Sequence, residues 1–171
     1  FLLIGSMNPE EGRLRPQLMD RFGLRAVVRG LAEADLRYQA YEQAVAYQHD
    51  PETFAALYAA STLALAEEVR QARQILPQVM IGDAARTLGV RLVQSLQIDS
   101  SRAEITLFEA ARAYAAADNR TEVLPDDVQA VAALALRQRQ SPALQQFFTE
   151  LAQEEAQLTA VFSQHTTPSD E

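Results

Sequence analysis

GSMNPEEGRLRPQLMDRFGL, residues 5–24, follows the apolar run Phe1-Leu2-Leu3-Ile4 and precedes a valine-rich stretch. The run from Phe1 to Met7 ends at Asn8-Pro9 and Gly12, the pattern of a buried strand followed by a loop. Pro16 to Phe22 suits a helical turn, with proline at an allowed early position. Leu24 to Val28 then reads as a second strand, closed by Gly30. Two strands this near the start, with none expected later, describe the edge of an α/β sheet whose remainder lies elsewhere. The chain has no initiator methionine and opens in mid-strand, so residue 1 reads as an internal cut.

From Leu31 onward the pattern is helical. Helices are expected over about residues 33–48, 51–76, 82–95, 101–117, 126–139 and 142–163, with a loose polar tail at 166–171. The second carries Phe54, Leu57, Tyr58, Ser61, Leu65, Val69, Ala72 and Leu76 on one stripe and stops at Pro77. Ser101 with Glu104 has the spacing of a capping box, and Leu124-Pro125-Asp126-Asp127 puts acids at the positive end of the next helix. The last helix presents Leu144, Phe147, Phe148, Leu151, Leu158 and Phe162 on one face, suited equally to its own domain or to a partner chain. The expected fold class is mainly α: two short strands from an α/β core, then a helical domain.

Composition narrows the chemistry. All fifteen basic residues are arginine. Without lysine there can be no phosphate-binding loop of the Gly-rich, Lys-Ser/Thr kind, and no Schiff-base chemistry. Zero cysteines exclude disulfides and thiolate metal sites, which is compatible with a reducing cytosol, and a cytoplasmic location is expected. His49 and His165 lie far apart with no partner at ligand spacing, so no metal site is expected, and Glu10-Glu11 suits a hydrated loop better than a magnesium site. The net charge of -8 argues against nucleic-acid binding. Residues 1–30 run against that sign, with Arg13, Arg15, Arg21, Arg25 and Arg29 set against Glu10, Glu11 and Asp20. No stretch is apolar for long enough to cross a bilayer.

Asn8 follows the first strand, at the sheet edge where open α/β folds bind ligands. An asparagine there can orient a water by donating and accepting at once, whereas the plain alternative for Asn8-Pro9 is a turn. Arg21, next to Asp20, can present a permanently charged planar fork to a transferring phosphoryl group, or form an ion pair with a nearby acid.

The joined string from Gly5 to Leu24 closely resembles the segment from sensor 1 to the arginine finger in magnesium-chelatase I subunits, which are AAA+ ATPases; MoxR ATPases and MCM helicases share a looser version. The resemblance runs from residue 1 to about 140 and is densest over 4–24 and 98–139. It implies that Asn8 is the sensor-1 residue and Arg21 the arginine finger. It also implies that Arg102, at a helix start, is the sensor-2 arginine that meets ATP. Ser100-Ser101 stand before Arg102 where the family more usually carries Leu or Gly. Arg15 is a further candidate for a positive contact across an interface, or a surface arginine.

By this resemblance residues 1–30 are the end of the AAA+ core, 31–140 the helical lid domain and 141–165 a C-terminal helical extension. The implied function is ATP hydrolysis coupled to metal insertion into a porphyrin, a step of chlorophyll synthesis. The implied cofactors are ATP and Mg²⁺ in the full-length protein, with neither tightly bound by this portion, which is expected to be inactive alone. The implied partners are copies of itself in a ring of six, with D-type and H-type chelatase subunits. Two rivals remain: the ATPase-inactive D-type scaffold, and a MoxR-like ATPase serving assembly or metal loading of another protein.

Overall fold

The computed structural model describes residues 2–8, 10, 12, 14–139, 146–147 and 149–157. Its elements are α1 (Pro16–Met19), α2 (Ala34–His49), α3 (Pro51–Leu57), α4 (Ala59–Ile75), β1 (Met80–Ile81), α5 (Asp83–Ser95), α6 (Arg102–Ala117), β2 (Glu122–Val123) and α7 (Pro125–Leu136). Residues 146–147 and 149–157 are also helical. Pro9, Glu11, Arg13, the ends of the last helix with Leu144, Phe148, Leu158 and Phe162, His165 and the tail 166–171 lie outside the described residues.

The core forms where small and branched residues recur every fourth position. In α6, Ala103, Leu107, Ala111 and Ala115 are fully buried along one stripe. Alanines on that stripe let neighbouring helices approach closely, and Leu107 fills the space between them. From α5 come Ala85, Gly89 and Val93, and from α7 Val128, Val131, Ala135 and Leu136. Burying a leucine such as Leu107 contributes roughly 1.5–3 kcal/mol.

The two strands are short and parallel, with Met80 opposite Glu122 and Ile81 opposite Val123. They tie the start of α5 to the start of α7. Gly82 follows β1, and a Cβ there would stand 2.7 Å from a Glu122 carboxylate oxygen and 3.1 Å from the Val123 carbonyl. A larger residue there would have to displace the Glu122 side chain and crowd the Val123 carbonyl.

Helices α5 and α6 end alike. The Ile98 N–H donates to the Val93 carbonyl and the Gln97 N–H to that of Gln94. Arg120 and Asn119 repeat the pair on Ala115 and Ala116. These are Schellman motifs, with Gln97 (φ 51°) and Asn119 (φ 58°) in the left-handed position usually held by glycine. The second motif delivers Arg120 to Asp127, whose carboxylate lies 2.7 Å from one guanidinium nitrogen and 2.5 Å from another. The same carboxylate accepts the Leu124 N–H at 2.7 Å, which caps α7.

The mainly helical class expected from the sequence holds, but the strands are elsewhere. Residues 2–8 and 22–31 belong to no helix or strand, and Leu2, Ile4 and Val28 are more than four-fifths exposed. An apolar run becomes a strand only when another strand satisfies its N–H and C=O groups, and among the described residues neither run pairs with a strand. The helix expected over 51–76 breaks at Tyr58, where the N–H bonds back to Ala55. Ser101 makes no side-chain cap; the turn instead closes through the Ala103 N–H on the Ser100 carbonyl, 2.8 Å.

Candidate functional site: the arginine-bearing loop beside the helical bundle

Helix α7 ends at Leu136, and its last carbonyls need donors. Two arginines supply them. The backbone N–H of Arg25 donates to the Leu134 carbonyl at 2.9 Å, and its guanidinium donates to the Arg137 and Gln138 carbonyls at 2.8 and 2.7 Å. A further Arg25 guanidinium N–H reaches the Met19 carbonyl. Arg139 donates to the Ala135 carbonyl at 2.6 Å and then turns its other nitrogens towards residues 20–23. Cations at the negative end of a helix are favoured on electrostatic grounds as well.

The side chain of Arg139 has no exposed surface. It meets Asp20 at 3.2 Å, the Gly23 carbonyl at 2.9 Å, the Phe22 carbonyl at 3.3 Å and the Thr106 hydroxyl at 3.2 Å. Burial lowers the pKa of both Arg25 and Arg139, each a guanidinium that nonetheless stays charged. Asp20 is their counter-ion. Its second oxygen pairs with Arg102 at 2.8 Å, and the Ser100 hydroxyl donates to the first at 3.3 Å. Partial burial pushes the Asp20 carboxyl up, but Arg102, Ser100 and Arg139 together outweigh this and hold it below its ordinary value.

Two of the sequence candidates are thereby brought to one place. Arg102, at the first turn of α6, bonds the residue adjoining Arg21 across a separation of 82 positions. Arg21 itself is exposed and makes no ion pair among the described residues. Arg15 is exposed too, and its carbonyl accepts from Leu18 and Met19 at the start of α1. Asn8 is exposed, its side-chain oxygen accepting the Glu10 N–H at 3.2 Å. His49 is exposed at the end of α2. Among the described residues, no group of three His, Cys, Asp or Glu side chains is arranged to hold a metal ion, and no helix is long and apolar enough to cross a membrane.

Sequence reading overlooked Arg139 and saw Arg25 only as one of a basic run. A signal was available in Ala-Leu-Ala-Leu-Arg-Gln-Arg at the end of α7, where an arginine can fold back on the last carbonyls.

This arrangement, a small helical bundle with a short parallel sheet and an arginine-bearing loop on its flank, belongs to a known class. Residues 87–161 match the AAA lid domain family. The chain's sequence is similar to those of magnesium-chelatase I subunits. It is 41% identical to magnesium-chelatase subunit ChlI of Synechocystis over 139 residues, 81% of this chain and 39% of that protein. Over the same length it is 42% identical to the magnesium-chelatase 38 kDa subunit of Acidiphilium rubrum, covering 40% of it. An uncharacterized Mycobacterium tuberculosis protein, Rv2850c, is 40% identical over 144 residues, 83% of this chain and 23% of that protein. The chain thus spans about two fifths or less of the curated relatives it matches. A solved structure of a candidate ATPase from Cytophaga hutchinsonii shares the fold, with a TM-score of 0.52 and 18% identity over 75% of this chain and 41% of that one.

Proposed function

We propose that this chain is the finger-and-lid portion of a ring-forming AAA+ ATPase that resembles the magnesium-chelatase I subunit and couples ATP hydrolysis to metal insertion into a porphyrin. The observation that carries this reading is the Asp20–Arg102 pair, which joins the two motifs of the resemblance at one point on the lid. Arg21 is the arginine finger, Arg102 the sensor-2 arginine and Asn8 the sensor-1 residue, with Arg15 as a further contact. Residues 1–30 close the α/β core, 31–140 form the lid and 141–165 extend it. The ring is cytoplasmic and has six copies, which work with D-type and H-type subunits.

Exposed permanent cations suit the phosphate end of ATP, so Arg21 and Arg102 are the groups that would hold it. Bound ATP with Mg²⁺ supplies the phosphoryl group and part of the charge neutralisation. Arg21 adds a planar donor fork where negative charge grows, and Arg102 orients the phosphates. With no lysine in the chain, the β and γ phosphates must be cradled by residues outside it.

In a closed head-to-tail ring, each finger completes the site of the next subunit. Full-length Arg21→Ala and a full-length variant lacking its phosphate-loop lysine should each retain only a small residual ATPase rate, and should regain part of the activity when mixed. A mixture as inactive as either alone, under conditions where rings exchange subunits, would show that Arg21 acts within its own chain or only holds its loop.

A second reading has the same module inside a longer chain, as in a D-type scaffold or a MoxR-like ATPase. The Mycobacterium relative, of which the match covers only 23%, supports it. An intact phosphate loop upstream without any porphyrin dependence of turnover would favour the MoxR-like form.

A further inference from the structure

We propose that Arg139 is a positioning residue that couples the lid to the finger, and that it sets the rate at the neighbouring subunit's nucleotide through Arg21. This rests on the reading of Arg21 as the finger.

The loop that carries Arg21 has little structure of its own. It lies between the four-residue α1 and a stretch, 22–31, that belongs to no helix or strand. Arg21 is exposed while its neighbours are bound: the carboxylate of Asp20 and the carbonyls of Phe22 and Gly23 all accept from Arg139. Arg139 therefore grips the loop on both sides of the finger. Arg25 adds a second hold, from the Met19 carbonyl to those of Arg137 and Gln138.

A buried guanidinium is an expensive way to fill space, and a packed apolar side chain of similar volume is often as stable. What the guanidinium provides is a rigid fork with five donors, and here it meets the Ala135 carbonyl, Asp20, both loop carbonyls and the Thr106 hydroxyl. Those partners lie on α7, on the finger loop and on α6. A displacement of the lid helices is thus carried directly into residues 20–23, where a shift of about 1 Å in a group at the reacting centre can cost on the order of 10²-fold in rate.

The test uses the full-length protein and compares Arg139→Met, Arg139→Lys, Arg21→Ala and the double variant Arg21→Ala/Arg139→Met. Arg139→Met should lower kcat for ATP by at least about tenfold with KM little changed, since ground-state binding does not pass through the finger. Arg139→Lys keeps a charge for Asp20 but cannot reach all five partners, so it should fold and still turn over slowly. The double variant should be no slower than Arg21→Ala alone, because two residues acting through one group are not additive. A double variant slower than Arg21→Ala by the full Arg139→Met factor would overturn the proposal while leaving the finger intact. No loss on Arg21→Ala would overturn the finger reading and the proposal with it. Should Arg139→Met fail to fold, Arg139→Lys decides: wild-type turnover there overturns the proposal.

Discussion

Asp20 and Arg102 meet at 2.8 Å with the arginine side chain 61% exposed and the aspartate 32% exposed. A pair so open to water contributes only about 0–1 kcal/mol. In the full-length protein, Arg102→Ala should therefore reduce ATP turnover while the melting temperature hardly moves. Thermal unfolding alongside a phosphate-release assay checks this; a fall of several degrees with turnover intact would make Arg102 structural.

Arg120 and Asp127 form the opposite kind of pair. Asp127 is 2% exposed, and its charge is matched by a guanidinium that also holds Asp118. Arg120→Ala leaves a buried carboxylate without its partner and should cost about 3 kcal/mol, read from urea unfolding. Asp127 also carries a pH dependence. Its carboxyl is held below the ordinary range, chiefly by the Arg120 hydrogen bonds. A depressed folded-state pKa gives stability that is present above the unfolded value, near about 3.9, and is lost as pH falls through the folded one. Stability should drop on acidification below about pH 4, and Arg120→Ala should flatten that drop.

Leu107→Ala opens a cavity at the centre of the α5–α6–α7 bundle, where Leu107 is fully buried. The expected loss is about 2–5 kcal/mol, measured by denaturant titration. A loss under about 1 kcal/mol would mean that the surrounding helices collapse into the space.

The 171-residue chain should release no phosphate from Mg-ATP, since it has no lysine to reach the outer phosphates. Turnover that co-purifies with the protein through two columns would contradict this.

The helices were the legible part of the sequence, because α5 and α6 carry apolar periodicity and α7 a clear start signal. The strands were not. β1 and β2 have two residues each, too few for any alternation to register, and they exist through their pairing rather than through their composition. The helix ends at Gln97 and Asn119 were hidden for a related reason. A left-handed residue is announced by glycine, and here the tertiary packing of Ile98 and the Arg120–Asp127 bonds holds a bulkier residue there.

For the candidate site, Arg21, Asp20 and Arg102 were visible as members of two motifs, and the structure supplies the bond that joins the motifs. Arg139 was hidden because three of its five partners are backbone carbonyl groups, which every residue has. The expected box of Ser101 and Glu104 failed because the adjacent Ser100 turns its hydroxyl to Asp20 and its carbonyl to the first turn.

Helices α2 and α3 contain no buried residue, and α4 touches the core only near its end, through Ala72 and Ile75. Most of a helix's stability in a protein comes from tertiary packing, which the 16-residue α2 lacks. Backbone amides in α2 should therefore exchange with solvent deuterium through local opening, long before those of α6, whose exchange waits on global unfolding. The molecule would then unzip in two tiers, with residues 34–71 melting as a separate unit at little cost to the bundle below.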